Sequence, residues 1–371
     1  MWLNNNTKVI HKVKSEPCLK IREKFMNDNK VFYKKLKINN KGELKMKYFE
    51  LVKEYAYPSG SVYVLYNKEK NFYIETTSMQ DVNTRGKSQE IIMTDDVSLI
   101  KENLVPFEEK WLTAISTQYG CPQKCQFCLV PELGFHGNLT VEEMWEQLEF
   151  VFSQHPEVTK SDKIKVGFAR MGEPQYNWQN ILQVMKDMKT YKEGFTFLPC
   201  YNTILPKVKV GGKGPVEVLK EEVMSVKEYL DGFMHIQIST NSTNEEERKF
   251  LFGGANVVSI EEMKKEFNNM PNNNRLITLN FICGAGWELD PNKLYGLDPK
   301  VFCVKITPLN TTTATKEHGL EDAIQWNWEN MNKIKEKVES CGLKVVVDVA
   351  AKAELPLCCG NLVQDYKKNK R

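Results

Sequence analysis

The feature that most constrains the fold is a repeated alternation of short apolar runs with amphipathic segments, which begins at Trp111 and continues almost to the end of the chain. Short runs rich in β-branched and aromatic residues are typical of strands, and apolar residues three and four apart are typical of helices. Repeated strand–helix units predict a parallel sheet or barrel with helices on its outer face. The predicted strands are 111–117, 163–169, 195–201, 233–239, 275–283, 301–309 and 343–349.

Helices are predicted between these strands, at 140–153, 177–191, 215–229, 259–268 and 320–340. Thr140-Val-Glu-Glu143 is a capping box at the expected start of the first of them. Six or seven strand–helix units are fewer than the eight of a closed barrel, so the sequence predicts an α/β fold with a partial, open (β/α)6 barrel. In such folds, functional groups gather at the carboxyl ends of the strands.

The segment ahead of this core has a different character. Two β-branched and aromatic runs, 61–66 and 71–76, flank the polar residues 67–70 and predict a hairpin. Four regions are expected: a basic N-terminal segment of mixed helix and loop (1–60), a hairpin and accessory region (61–110), the core (111–362) and a basic tail (363–371).

Charge is unevenly distributed along the chain. Residues 1–50 contain 13 Lys and Arg against 5 Asp and Glu, a local charge of +8, so the remainder sums to 3 − 8 = −5. A basic segment is compatible with a phosphate-rich partner and equally with a solvated lysine-rich surface. No apolar run approaches the ~18 residues that span a bilayer, and the first residues lack the apolar stretch of a signal peptide. We therefore expect a cytoplasmic protein.

Three of the ten cysteines are clustered, in Cys121-Pro-Gln-Lys-Cys125-Gln-Phe-Cys128, directly after the first core strand. In a chain expected to be cytoplasmic, clustered thiols suggest metal binding or catalysis rather than disulfides. A structural zinc site normally has a fourth protein ligand, which His136 could provide. A four-iron cluster held by three cysteines instead leaves one iron open for another ligand.

The C-x3-C-x2-C spacing, together with Met171-Gly-Glu-Pro174 after the second core strand, resembles the radical S-adenosylmethionine (SAM) superfamily. This resemblance implies a [4Fe-4S] cluster on Cys121, Cys125 and Cys128, with Phe127 covering the cluster and SAM. It further implies that Gly172, Glu173 and Pro174 bind the SAM ammonium. The open iron would hold SAM, and an electron from a flavodoxin or ferredoxin-type donor would be used to cleave it to a radical.

Further motifs resemble the RlmN/Cfr family, which methylates adenine in RNA. They are Gly134-Phe-His-Gly-Asn-Leu139, Ile236-Gln-Ile-Ser239, Lys305-Ile-Thr-Pro-Leu-Asn310 and Leu357-Cys-Cys-Gly-Asn-Leu362. The resemblance implies that Ser239 and Asn310 contact SAM and that Cys359 accepts a methyl group, which a radical step then transfers to an sp2 carbon. It also implies that Glu75, in the hairpin, lies near the target base, and that RNA is the partner.

Two features depart from the family. The cysteine that would release the product is replaced by Ala114, a role that Cys358 could take over, and the family's N-terminal RNA-binding module is not recognisable in residues 1–60. Three hypotheses follow: methylation of RNA adenine through Cys359, radical SAM chemistry on a small molecule or peptide, and a non-enzymatic zinc or iron–sulfur protein. The intact Gly172-Glu173-Pro174 turn argues against the third.

Overall fold

A computed structural model describes residues 46–83, 94, 96–271, 274–325, 327–348 and 360–369. All of them belong to one compact unit, Met46–Arg371. The other unit, Met1–Lys45, lies outside the described residues. None of the helices in the described part of the chain combines the length and apolarity that a membrane span requires.

The strands in the described ranges are β1 Glu50–Tyr57, β2 Gly60–Asn67, β3 Phe72–Gln80, β4 Trp111–Ile115, β5 Gln118–Gly120, β6 Phe135–Asn138, β7 Ser161–Phe168, β8 Phe195–Thr203, β9 His235–Ser239, β10 Ile277–Cys283, β11 Phe302–Pro308 and β12 Lys344–Val347. Ten of them form one sheet in the order β1-β2-β3-β4-β7-β8-β9-β10-β11-β12. The first four pair antiparallel. From β4 to β12 all pairs are parallel, whereas β5 and β6 form a separate antiparallel ribbon.

The helices of the same residues are α1 Val97–Glu102, α2 Val141–Ser153, α3 Trp178–Asp187, α4 Pro215–Glu217, α5 Met224–Tyr229, α6 Glu245–Leu251, α7 Ile260–Phe267, α8 Thr313–Glu317, α9 Trp328–Glu339 and α10 Asn361–Asn369. A π-helical segment, Val218–Val223, connects α4 to α5. The capping box is present, because Thr140 Oγ1 accepts from the Glu143 amide at 3.2 Å and Glu143 Oε2 accepts from the Thr140 amide at 2.8 Å. It fixes where α2 begins.

The predicted parallel sheet and the predicted hairpin are confirmed, and all seven core strands are present within a few residues of their expected bounds. Three predictions need correction. Residues 50–57, expected among helix and loop, form the edge strand β1. The last long helix begins at Trp328 rather than at residue 320, since the Asp322 carboxylate binds the Leu309 amide at 3.0 Å and holds that segment as a loop. Helix α6 was not predicted.

Successive side chains of the parallel strands face the helices and the inside of the barrel in turn. On β9, for example, Ile236 and Ile238 are buried whereas Gln237 and Ser239 are half-buried. The inner face is polar: Thr307 donates to Asn280 Oδ1 at 3.0 Å, and Lys305 pairs with Asp348 at 2.7 Å. The barrel therefore presents a polar interior at the carboxyl ends of its strands.

Candidate active site

The three clustered cysteines lie in a loop whose two ends are joined by the β5–β6 ribbon. Gly120 has a φ of 80°, and a Cβ there would lie 1.7 Å from the Gly134 carbonyl oxygen, so this close crossing requires glycine. The Cys121 amide donates to the same carbonyl at 3.2 Å. The ribbon thus fixes where the cysteine loop leaves and re-enters the barrel.

Neighbouring elements support the middle of the loop. The Gln126 amide donates to the Leu251 carbonyl at the end of α6 at 2.9 Å, and the His318 ring approaches the Gln126 carbonyl at 2.6 Å. The Phe127 ring meets Phe252 edge-on, at 6.3 Å between centroids. Phe127 is half-buried in this apolar cluster, against which Cys125 also packs.

The loop is an apolar environment for its thiols. Burial raises the pKa of Cys121 to about 12 and that of Cys125 well above its usual range, and the other two cysteine sulfurs raise the latter further. Cluster iron would have to displace these protons. Among the residues that the structure describes, no three or more His, Cys, Asp or Glu side chains form a group that could hold a single metal ion. Thiolates of a four-iron cluster bind different irons, so three cysteines on one loop fit that group.

The Gly-Glu-Pro turn follows β7 and packs directly against the strand that leads to the cysteines. Gly172 has a φ of 109°, and a Cβ there would lie 2.5 Å from Thr117 Oγ1. The amides of Thr117 and Gln118 donate to the Met171 carbonyl at 2.8 and 3.2 Å, and the Glu173 amide donates to Gln118 Oε1 at 2.8 Å. The two motifs are therefore connected through residues 117–118, just before Cys121.

Glu173 is held from three sides. Its carboxylate accepts from the Thr203 hydroxyl, from the Ile204 amide at 3.1 Å and from the Gln175 amide at 3.1 Å. Burial raises the pKa of Glu173 to about 7, and these hydrogen bonds oppose the rise. A carboxylate has about four acceptor positions, so one remains for a ligand cation.

Buried polar atoms without a partner accompany Glu173. Within the described ranges, both side-chain polar atoms of Gln175 and the hydroxyl of Tyr201 have no hydrogen-bond partner. The backbone amide of Gln175 donates to the Glu173 carboxylate. Tyr201 lies two residues before Thr203, hence on the same face of β8. Unsatisfied buried groups are costly. Gln175 therefore suits a polar ligand such as the amino acid end of SAM, whereas Tyr201 is in register with the buried Ile236 of β9 and shares its face of the sheet.

The other predicted SAM contacts lie at strand ends of the same barrel. Ser239 ends β9 and is in register with Asn280 of β10, and Asn310 follows β11 by two residues. Asn280, Lys305, Thr307 and Asp348 also line this interior and were not predicted. The signal for them was present as alternate polar residues within apolar strands, for example Lys305 and Thr307 in Phe302–Pro308.

Ala114 faces the same interior. It is in register with Gly167 of β7, which is in register with Cys200 of β8. A Cβ on Gly167 would lie 3.6 Å from that of Ala114. The position expected to hold a second reactive cysteine is therefore inside the barrel, but it carries a methyl group.

The structure gives Glu75 partners other than those expected. Its side chain is fully buried, and its carboxylate accepts from the amides of Gly360, Leu362 and Val363 at 3.0, 3.1 and 2.9 Å and pairs with Arg170 at 2.8 Å. These contacts occupy the acceptor positions that the expected bond to a base amino group would need. Cys358 and Cys359 lie outside the described residues, which resume at Gly360.

Known proteins share both the sequence pattern and the fold. A protein from Pseudothermotoga lettingae named probable dual-specificity RNA methyltransferase RlmN is 26% identical over 271 residues, which cover 70% of this chain and 71% of that protein. A protein of the same name from Chlorobaculum tepidum is 32% identical over 109 residues, 29% of each chain. No protein-family model matches the chain.

The crystal structure of a radical SAM methyltransferase from Sphaerobacter thermophilus superposes with a TM-score of 0.59 at 17% identity, over 89% of this chain and 86% of that one. The barrel, the three-cysteine loop and the Gly-Glu-Pro turn are the features in which this chain resembles radical SAM enzymes. In sequence, the chain is similar over about 70% of its length to proteins named dual-specificity RNA methyltransferase RlmN.

Proposed function

We propose that this enzyme methylates an sp2 carbon, most specifically an adenine carbon in RNA, by way of an S-methyl group on Cys359. The observation that carries the proposal is the close approach of Gly360 to the cysteine loop. A Cβ on Gly360 would lie 2.9 Å from the Val130 amide nitrogen and 3.2 Å from the Leu129 carbonyl carbon. Gly360 directly follows Cys359 in the sequence.

The described residues of the candidate site suit the two groups that this chemistry requires, a [4Fe-4S] cluster and SAM. Cys121, Cys125 and Cys128 would hold the cluster, and Glu173 would accept the ammonium of SAM, with Ser239 and Asn310 as further contacts. When bound, the cluster would supply the electron that cleaves SAM, and SAM would supply both the methyl group and the radical. A flavodoxin or ferredoxin-type donor is part of this proposal.

Cys359 has the property that a methyl carrier needs. A thiolate is a strong nucleophile for SAM, whereas an adenine ring carbon is not. The thiolate would therefore take the methyl group of one SAM, with S-adenosylhomocysteine as the leaving group. The radical from a second SAM would remove a hydrogen atom from that S-methyl group, and the resulting carbon radical would form the bond to the substrate carbon. Attack of a second thiol on the Cys359 sulfur, a role that Cys358 could take, would then break the carbon–sulfur bond and leave a disulfide, and one electron would return to the donor. RNA as the substrate is supported by the similarity to proteins named RNA methyltransferases.

A second candidate is radical SAM chemistry on a small molecule or peptide, with Cys359 in another role. It is favoured by the charge of residues 51–371, which sum to −5 and offer little general attraction for a polyanion. It is also favoured by Ala114, which cannot release a substrate joined to Cys359 in the way the family cysteine would.

One labelling experiment separates the two candidates. The enzyme is reconstituted anaerobically, supplied with a reductant and methyl-deuterated SAM, and incubated either with total RNA or with a small-metabolite and peptide extract. Mass spectrometry should find the label on Cys359 of the protein and on an adenine of the RNA.

Cys359→Ser should abolish both labels, whereas Cys341→Ser, which alters a buried thiol at the end of α9, should change neither. Label that appears only in the extract, with none on Cys359, would support the second candidate and exclude the first.

A further inference from the structure

Glu75 and Arg170 form a buried ion pair that links three distant parts of the chain. Glu75 is fully buried on β3, and Arg170, which is 5% exposed, follows β7 by two residues. The third part is the start of α10, almost three hundred residues after Glu75. Taking a carboxylate and a guanidinium out of water is unfavourable unless both are well hydrogen-bonded, so the partners that satisfy this pair indicate which segments it holds.

The Glu75 carboxylate caps the C-terminal helix. The first amides of a helix lack partners within it, and the N-terminus attracts negative charge. Here Oε1 accepts from Leu362 and Val363, and Oε2 accepts from Gly360 and pairs with Arg170. The cap of this helix therefore comes from a strand of the hairpin sheet, so the helix start is fixed relative to the barrel.

The same helix start is fixed against the cysteine loop. Gly360 has a φ of 81° and lies too close to Val130 to accommodate a Cβ. One turn later, Gln364 donates to the Leu129 carbonyl at 3.0 Å and to Glu132 at 2.7 Å. Leu362 and Val363 pack on Val62 and Val64 of β2. Contacts on both sides hold Gly360, the residue that directly follows Cys359.

Arg170 connects this cap to the other half of the site. It lies two residues before Gly172, and its amide donates to the Ile115 carbonyl of β4 at 3.1 Å. Its guanidinium is directed to Glu75. The Gly-Glu-Pro turn and the start of α10 are therefore joined through a single buried pair.

We propose that Glu75 and Arg170 are positioning residues, which hold Gly360 and the start of α10, directly after Cys359 in the sequence, beside the cysteine loop and the Gly-Glu-Pro turn. The proposal rests on the proposed function, because it assigns Cys359 as the methyl carrier. It differs from the role that the family resemblance implied for Glu75, a contact to the substrate base, and the two roles predict different defects.

The test uses Glu75→Gln in the full-length, anaerobically reconstituted enzyme, with Glu146→Gln as the matched control. Glu146, on α2, is also a buried carboxylate that accepts from three consecutive backbone amides, those of Lys47, Tyr48 and Phe49. An amide keeps the shape of the carboxylate but offers one acceptor oxygen and turns N–H groups toward donors.

The first readout is hydrogen exchange of the amides at 360–366, measured without substrate. It should rise by about tenfold or more in Glu75→Gln and stay unchanged in Glu146→Gln, because only Glu75→Gln weakens the charge-assisted hydrogen bonds that hold these amides. Unchanged exchange in Glu75→Gln would overturn the proposal whether or not Cys359 is methylated.

The second readout is S-methylation of Cys359, which requires SAM but no RNA. It should fall by about tenfold or more in Glu75→Gln while iron content is retained, because a displaced nucleophile loses its orientation. If Cys359 is methylated normally and only RNA methylation is lost, Glu75 contacts the substrate and the positioning role is wrong. If the wild-type enzyme carries no S-methyl group, the proposed function fails, and the exchange result still decides the role of the cap.

Glu75→Asp covers the case in which Glu75→Gln does not fold. It keeps the charge and the pairing with Arg170 but withdraws the carboxylate by one methylene, so exchange at 360–366 should rise by a smaller factor, about threefold. If Glu75→Asp showed wild-type hydrogen exchange at 360–366, the proposal would be contradicted as well, because the cap depends on the length of the Glu75 side chain.

Discussion

At the scale of single residues, three buried carboxylates of this chain are satisfied mainly by backbone amides. Glu75 and Glu146 bind the amides of segments far away in the sequence, and their role is to hold those segments. Glu173 differs in its partners, which lie in the Gly-Glu-Pro turn and at the end of β8, and burial raises its pKa to about 7. A carboxyl group with a pKa near 7 changes its charge close to neutral pH, and the charged form binds a cation such as the SAM ammonium more strongly. Glu173 should therefore make SAM binding depend on pH.

SAM affinity should fall by about tenfold between pH 8 and pH 6, because a group with a pKa of about 7 loses most of its charge over that interval. Equilibrium binding of SAM to the anaerobically reconstituted enzyme measures it. Bound ammonium favours the ionised form and shifts the pKa down in the complex. The effect of pH on folding stability has the opposite sign. Because the pKa of Glu173 in the folded protein exceeds its ordinary value of 4.5, the contribution of Glu173 to folding stability is fully present below pH ~4.5 and is lost as the pH rises through about 7.

Two variants separate this effect from general titration. Glu173→Gln should bind SAM weakly with a flat pH profile. Glu149→Gln removes a carboxyl whose pKa is likewise raised by burial to about 7, on α2, and should leave the profile as in the wild type. If Glu173→Gln kept the wild-type slope, another group would be responsible.

At the scale of elements, the cysteine loop depends on a backbone crossing with the turn after α6. Gly253 has a φ of 64°, and a Cβ there would lie 2.0 Å from the Lys124 carbonyl oxygen. Gly254, the next residue, has a φ of 83° and would meet nothing within 4 Å. The two glycines share the same backbone demand, so a comparison of them isolates the contact with the loop.

Gly253→Ala should retain less than about half of the wild-type iron after reconstitution, whereas Gly254→Ala should retain nearly all of it. Each substitution costs about 1 kcal/mol, because alanine must adopt the left-handed backbone conformation. Only Gly253→Ala also forces the backbone of the cysteine loop to move. Iron and sulfide analysis with visible absorption measures retention, and thermal melts report the shared cost. Equal iron content in the two variants would show that the crossing does not support the cluster.

The limits of sequence-based prediction follow from the range of the interactions. Thr140 and Glu143 are three residues apart, so their capping box could be predicted. The start of α9 could not be predicted, because the hydrogen bond that the Leu309 amide donates to the Asp322 carboxylate overrides the helical periodicity of the sequence after residue 320. The cluster and SAM motifs were predictable as local patterns. The partners of Glu75 were not, since Arg170 and Gly360 reach it only through the fold.

At the scale of the whole molecule, the net charge is divided between the two units. Residues 1–45 contain 12 Lys and Arg and 4 Asp and Glu, a charge of +8, so Met46–Arg371 sums to 3 − 8 = −5. The residues discussed as candidates for cluster, SAM and methyl carrier all belong to Met46–Arg371. If RNA is the substrate, attraction for its phosphates should come mainly from the basic first unit.

A chain that starts at Met46 should therefore keep SAM cleavage and S-methylation of Cys359 but lose about tenfold or more in RNA methylation at physiological salt. It retains the segment that Glu146 binds, so the fold should persist, and circular dichroism and the melting temperature check this. Raising salt should weaken RNA methylation by the full chain more steeply than by the shortened one. The shortened protein has fewer Lys and Arg residues and therefore releases fewer counterions when it binds RNA. Equal RNA activity and equal salt dependence of the two proteins would mean that the acidic body binds its substrate unaided, as expected for a small molecule or peptide.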